Sequence, residues 1–297
     1  MNKVLLAGVN GYIGSHLYSQ LEEQAAVTSL DYGNSSAKKD FINLDLTDSD
    51  KINDFAHNCD HFDVLIFLVG LAHAKGKGKD LPEFKKVNYQ TLVNLLSALR
   101  SNNKIPDKII FSSTISVYGE KYHQNVYGED SGKKPFSPYA VTKLEAEQYL
   151  LDNFGTKSWI LRFAPVYSSD FLLNINRRIR MGSTFYRVGK GSRKLSLCNI
   201  ENIRVAVETI IKDKVPAGIY NLSDQKEYSY NELLEKQQAK WILPIPKFMI
   251  KMAYVFGKVT GNIFFKEIAV KLLTDNVYPS SKIRSHVDFS ATLNNIN

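Results

Sequence analysis

The apolar run Asn2–Ala7 passes directly into Gly8-Val9-Asn10-Gly11-Tyr12-Ile13-Gly14 and then into Ser15–Leu21, a stretch of helical character. Glycines at a strand-to-helix turn let backbone N–H groups approach a pyrophosphate, which gains further from the dipole at the helix N-terminus. The next run, Val27–Leu30, ends at Asp31, about 20 residues past the turn, where a ribose 2′-hydroxyl needs an acceptor. A carboxylate there repels a 2′-phosphate, so NAD is expected over NADP. Phe41–Leu44 reads as a third strand, followed by Asp45 and Leu46; Asp45 either meets an adenine or caps the helix starting near Asp48. Asp63–Val69 is continuously apolar after its first residue, as a central parallel strand covered on both faces requires, and it ends in Gly70-Leu71-Ala72-His73, where a cofactor must pass close. A single long helix is expected from Leu81 to Ser101, with Phe84, Val87, Leu92, Leu95, Leu96 and Leu99 at helical spacing. Asp107–Phe111 then delivers Ser112-Ser113-Thr114 at its C-terminal end. Alternating strands and helices of this length predict an α/β fold with a Rossmann-type doubly wound parallel sheet, its ligands at the carboxyl ends of the strands. Gly8, Asp31, Gly70, Thr114 and the helix bearing Tyr139 would share one rim.

That helix opens at Ser137-Pro138-Tyr139-Ala140-Val141-Thr142-Lys143: Ser137 is a good N-cap and Pro138 suits the first helical position. A four-residue step puts Tyr139 and Lys143 on one face, where an ammonium can act on a phenol. Lowering a tyrosine pKa by about three units from about 10 requires roughly 4 kcal/mol. One positive charge about 4 Å away at an effective dielectric of about 20 supplies about that much.

Composition narrows the function. The chain has 297 residues, 44% hydrophobic and 23% charged, with a formal charge of +8. The basic residues are scattered apart from Lys75–Lys79 and Arg177-Arg178-Ile179-Arg180, and no nucleic-acid-binding motif accompanies them, so a phosphate-binding or solvated surface is expected and nucleic acid is not. Cys59 and Cys198 stand alone, without metal-ligand spacing, so no disulfide framework and no metal site are expected. A reducing cytoplasm is the expected compartment, because Val4–Gly8 is too short for the core of a signal peptide. Lys247 and Lys251 interrupt the apolar stretch Trp241–Phe256, which therefore falls short of an integral membrane segment. Helices covering a substrate site are the first reading of that stretch; a basic amphipathic helix on a membrane surface is the other.

The motifs together resemble the extended short-chain dehydrogenase/reductase family, the NAD-dependent epimerase/dehydratase group acting on nucleotide sugars. The resemblance rests on the glycine turn, Asp31, Asp45-Leu46, Ser112–Gly119, Glu129-Asp130, Pro138–Lys143 and Leu161–Tyr167, with weaker echoes at Gly189-Lys190-Gly191, Asn199–Ile203, Gly218–Leu222 and Ser280–Arg284. It implies catalytic roles for Thr114, Tyr139 and Lys143: proton transfer by Tyr139, a ribose contact and a lowered tyrosine pKa from Lys143, and a hydrogen bond from Thr114 to the reacting oxygen. It implies NAD contacts from Gly8, Asn10, Gly11, Tyr12, Ile13, Gly14, Asp31, Asp45, Leu46, Val69, Gly70, Leu71, Ser112, Tyr139, Lys143, Ala164 and Val166. A cofactor domain over 1–165, its sheet completed by parts of 195–222, would be followed by a smaller α/β substrate domain over 166–297.

Departures from the family pattern shape the expected reaction. Relatives that eliminate water carry an acid pair just after the catalytic hydroxyl residue, where this chain has Ile115 and Ser116; the missing acid at the second position also argues against decarboxylation. Leu195 stands where many relatives place a diphosphate-binding arginine, so Arg193, Arg177 and Arg178 are the basic candidates for that role, with Thr114 at the sugar. The resulting expectation is an NAD-dependent epimerase acting at C4 of a UDP-hexose or UDP-N-acetylhexosamine. A 4-keto-sugar reductase is the alternative, and a non-catalytic dinucleotide sensor is a further one. A homodimer is expected too, on the premise that Leu92, Leu95, Leu96 and Leu99, with Leu144, Tyr149, Leu150 and Leu151, give two helices more apolar positions than one inward stripe needs.

Overall fold

The computed structural model describes residues 1–33, 38–71, 80–119 and 121–295, with the backbone alone at 263, 264, 267 and 295. Asn34, Ser35, Ala72, His73 and the Lys75–Lys79 run lie outside the described residues. In chain order the elements are β1 (Lys3–Ala7), α1 (Tyr12–Leu21), β2 (Ala26–Asp31), β3 (Phe41–Asn43), α2 (Ser49–Asn58), β4 (Val64–Phe67), α3 (Leu81–Lys85), α4 (Thr91–Ser101), β5 (Lys108–Thr114), α5 (Pro138–Phe154) and β6 (Ser158–Phe163). Then come β7 (Val166–Tyr167), α6 (Leu173–Ile179), β8 (Arg180–Met181), β9 (Thr184–Val188), β10 (Lys194–Leu195), β11 (Cys198–Asn199), α7 (Ile200–Ile211) and β12 (Gly218–Leu222). The chain ends with β13 (Tyr228–Ser229), α8 (Tyr230–Lys236), β14 (Ile242–Ile245), α9 (Lys247–Thr260), α10 (Ile263–Leu273) and α11 (Ser281–Arg284).

Seven strands form one sheet in the order β3-β2-β1-β4-β5-β6-β12, parallel in every pairing from β3 to β5. This is the doubly wound α/β sheet that the alternating apolar runs predict. All four residues of β4 are fully buried, as are Val4 to Ala7 of β1; each such large aliphatic side chain contributes about 1.5–3 kcal/mol on leaving water. Strand order reverses between β1 and β4, and in such sheets the crevice at the carboxyl ends of the strands flanking the reversal is where ligands bind.

Three local details differ from expectation. Helix α1 begins at Tyr12 rather than Ser15, and its N-cap Gly11 offers no side chain to its first N–H groups. The expected single helix Leu81–Ser101 is interrupted by a π-helical turn over Lys86–Gln90. Asp45 does not cap α2: Asp48 does, accepting from Lys51 N, while Asp45 accepts from the backbone N and the hydroxyl of Thr47.

The premise of the homodimer fails. Leu92, Leu95, Leu96 and Leu99 are fully buried with Leu44, Ile52, Ala56 and Ile109 in the molecule's own core, and Leu150 joins them. Leu144 and Tyr149 are half-buried, so Leu151 alone of the eight is exposed. The surplus is consumed because α4 is covered by α2 as well as by the sheet.

The chain divides into two compact units, one of Met1–Val117, Ser137–Leu161 and Val207–Ile219, the other of Tyr118–Phe136, Arg162–Ala206 and Tyr220–Asn297. The units interleave along the chain, with crossings after Val117, Phe136, Leu161, Ala206 and Ile219. Tyr118–Phe136 belongs to the second unit because the rings of Tyr118 and Tyr127 stack on Tyr278 there, at 5.9 and 5.3 Å. Fully buried Arg162 donates to the Tyr118 hydroxyl at 2.9 Å and to the Glu129 carbonyl at 3.1 Å, and the Tyr118 hydroxyl donates to Asn221 Oδ1 at 2.6 Å.

The same unit holds a buried carboxylate. Asp224 accepts from the hydroxyls of Tyr167 (2.5 Å) and Tyr228 (2.8 Å), from Asn202 Nδ2 (2.8 Å) and from Asn199 N (2.7 Å). Burial pushes its carboxyl up to about 6, against hydrogen bonds that favour the charge. A folded pKa above the unfolded value of about 3.9 adds stability below that value, and the addition is lost as pH rises through about 6. Asp224→Asn removes this titration. Urea unfolding from pH 7 to pH 4 should show the native protein gaining about 2 kcal/mol relative to the variant; a constant difference would mean that Asp224 does not titrate in that window.

Candidate active site at the carboxyl edge of the sheet

Gly8 follows β1 at φ +92°, and a Cβ on it would lie 2.8 Å from Val69 N, just beyond β4. A Cβ on Gly14 would lie 2.1 Å from the Gly8 carbonyl oxygen, so only glycine lets α1 start this close to the strand. Asp31, at the end of β2, braces the turn: one carboxylate oxygen accepts from Asn10 N at 2.7 Å and the other from Tyr32 N at 2.8 Å. Lys38 Nζ donates to Asn10 Oδ1 at 3.3 Å, which brings a cation beside the same turn.

On α5, Ser137 caps the helix by accepting from Ala140 N. Lys143 is 2% exposed and donates to the carbonyls of Ser112 (2.9 Å) and Val69 (3.4 Å), at the ends of β5 and β4. Its Nζ also lies 4.7 Å from the centroid of the Phe111 ring. Burial lowers its pKa to about 7, with Glu147 pulling the other way. Tyr139 is half-buried and hydrogen-bonded to the Thr114 side chain; desolvation raises its phenol to about 12 despite that bond. Thr114 in turn accepts from Ser116 N at 3.2 Å.

These values correct the sequence-level energetics. From about 12, reaching about 7 requires roughly 7 kcal/mol. One ammonium about 4 Å away would supply about 4 kcal/mol, and burial lowers the Lys143 pKa to about 7. An ionised phenol near pH 7 would call for a second positive charge.

Asn88 was invisible to motif reading. It sits fully buried in the π-helical turn; its Oδ1 accepts from Leu71 N at 2.6 Å, and its Nδ2 donates to Leu71 O at 3.3 Å and to Thr142 Oγ1 at 3.2 Å. It thereby fixes the segment after β4 against α5. A polar residue on the apolar stripe between Phe84 and Leu92 is the signal that marks it.

The family model described as "NAD dependent epimerase/dehydratase family" matches residues 4–223. The chain belongs to the NAD dependent epimerase/dehydratase family. It is 31% identical over 183 residues to an uncharacterized UDP-glucose epimerase of Bacillus subtilis, a match covering 56% of this chain and 57% of that protein's length. The UDP-glucuronic acid 4-epimerase of Bacillus cereus, solved in complex with NAD, superposes with a TM-score of 0.71 at 21% identity, covering 98% of this chain and 94% of that one. The L-threonine dehydrogenase of Clostridium difficile reaches 0.74 at 21% identity, covering 99% and 94%. Identities at that level show the shared fold.

The glycine turn fits the cofactor that the family's description names: the space a Cβ would fill at Gly14 is closed by backbone, and the first N–H groups of α1 have no side-chain cap. Gly8, Asn10, Gly11, Tyr12, Ile13, Gly14, Asp31, Val69, Gly70, Leu71, Ser112, Thr114, Tyr139 and Lys143 all belong to the first unit, as do Asp45 and Leu46, the latter buried in the core. Ala164, Val166, Arg177, Arg178 and Arg193 belong to the second. Arg177 is exposed, Arg178 donates to Asn174 O at 3.2 Å, and Arg193 pairs with Asp275 at 3.6 Å. Leu195 is 1% exposed in the second unit's apolar core, which accounts for the absence of an arginine there.

A phenol held near 12 has a direct spectroscopic consequence. Difference absorbance of tyrosinate in the cofactor-free protein, native against Tyr139→Phe, should show no ionisation from Tyr139 below pH 10. A step between pH 6 and 9 that the variant lacks would contradict the burial argument.

Proposed function

We propose that this chain is an NAD-dependent nucleotide-sugar epimerase acting at C4 of a UDP-hexose or UDP-N-acetylhexosamine. The observation that carries the reading is the hydrogen-bonded pair Tyr139 and Thr114 beside the buried Lys143 at the sheet's carboxyl edge. Thr114 hydrogen-bonds the C4 oxygen of the sugar, Tyr139 takes its proton and later returns it, and Lys143 holds the nicotinamide ribose. Bound NAD supplies a hydride acceptor and, in its oxidised form, the second positive charge that the phenol needs. Asp31 accepts from the adenosine ribose while the turn Gly8–Gly14 meets the pyrophosphate. Arg177, Arg178 and Arg193 are assigned to the substrate diphosphate.

The positions after Thr114 support reaction at a single carbon. Ile115 is buried and Ser116 N is bonded to Thr114, so neither brings a carboxylate for water elimination. The UDP-glucose epimerase relative of Bacillus subtilis supports a UDP-sugar as substrate.

Purified enzyme incubated with UDP-glucose or UDP-N-acetylglucosamine, with no cofactor added, should yield the 4-epimer by NMR with no net redox change. Stoichiometric NADH consumption with a 4-keto nucleotide sugar, and no epimerisation, would replace the epimerase with a reductase. Tyr139→Phe should depress turnover by about two orders of magnitude or more while leaving NAD affinity intact. Equal turnover in the variant would take the proton-transfer role away from Tyr139.

A further inference from the structure

Helix α9 is apolar on two opposite faces. Ile250, Ala253, Tyr254 and Gly257 form its covered side: Gly257 is buried, and a Cβ on it would stand 2.9 Å from Asn262 O and 3.1 Å from Phe265 Cβ, so α9 closes on α10 there. Tyr254 packs on Tyr122 with ring centroids 5.3 Å apart. On the other side Phe248, Met252, Val255 and Val259 follow one another at i, i+4, i+7 and i+11, with Met249 and Phe256 beside them. All six are more than half exposed, from 51% at Met249 to 80% at Val259. At about 100° per residue they span an arc of about 120°. A helix packed on one side needs one apolar stripe, and α9 carries a second one into solvent.

The charges around that arc select its occupant. Lys247, Lys251 and Lys258 fall together on a single edge, between the outward arc and the covered face. From Lys240 to Lys266 the sequence contains five lysines and no aspartate or glutamate. A second copy docking by this face would set lysine stripe against lysine stripe with no acid to pair them. An anionic surface answers both features at once, since lysines along the polar edge reach phosphates while the arc enters the acyl boundary. Trp241, 87% exposed and shortly before the helix, suits the same boundary. Spanning is not in question: no described helix is long and apolar enough to cross a membrane, and the 14 residues of α9 extend about 21 Å against a hydrocarbon core of about 30 Å.

We propose that α9 rests in the surface of an anionic phospholipid bilayer, its outward arc at the acyl boundary and its lysine edge at the lipid phosphates. The proposal does not depend on the catalytic reading. Co-sedimentation of the full chain with phosphatidylcholine vesicles, with and without a third of phosphatidylglycerol, tests it. Binding should require phosphatidylglycerol and weaken in high salt. Replacing Lys247, Lys251 and Lys258 by glutamine should weaken it at least about tenfold, at about fivefold per lysine near the surface. Met252→Glu with Val259→Glu should abolish it while leaving thermal unfolding unchanged, because both side chains are exposed. Equal binding to pure phosphatidylcholine, binding to neither vesicle, or a dimer in solution that the two glutamates dissociate would each overturn the assignment.

Discussion

A buried lysine organises the site. Lys143 pays the desolvation cost of leaving water, and the carbonyls of Ser112 and Val69 with the face of Phe111 offset part of it. Those carbonyls belong to the ends of two adjacent parallel strands, so one side chain from α5 reads the position of both. Two further polar ties reinforce it: Asn88 links Thr142 to the segment after β4, and Ser113 donates to Glu147, one helical turn beyond Lys143. With α5 pinned in this way, Tyr139 is held against Thr114.

The pinning has an electrostatic consequence. Burial lowers the lysine pKa and raises that of the phenol, so in the cofactor-free protein both groups are driven toward their neutral forms. Under the proposed reading, proton abstraction by Tyr139 would depend on the ligands being in place, which would restrict the chemistry to the assembled complex.

Much of this was legible in the sequence, for identifiable reasons. The sheet was readable because buried parallel strands are continuous apolar runs, and the glycine turn because backbone contact at Gly14 tolerates no side chain. That Asp31 braces the glycine turn through Asn10 N and Tyr32 N was not legible in its spacing. The π-helical turn at Lys86–Gln90 was not readable either, since a shifted backbone hydrogen-bond register leaves no composition signal, and the one trace of Asn88 is a polar residue on the apolar stripe between Phe84 and Leu92. Apolar surplus also misled: counting leucines on α4 says how many must be covered but not that α2 covers them, whereas the six outward apolar residues of α9 stay more than half exposed even though the Phe256 ring meets Phe265 of α10 at 5.6 Å. Leu195 marks another limit, because a missing arginine in a motif does not reveal that its position has been absorbed into an apolar core.

The account rests on Lys143 serving as the fixed point that receives the cofactor ribose. Lys143→Met keeps the length and the buried volume while removing the charge and the donors. Calorimetric titration of NAD into the native protein and this variant, with circular dichroism confirming equal folding, measures that role. The account predicts an affinity loss of at least about tenfold, the worth of a hydrogen bond from a charged group. Equal affinity in a folded variant would contradict it.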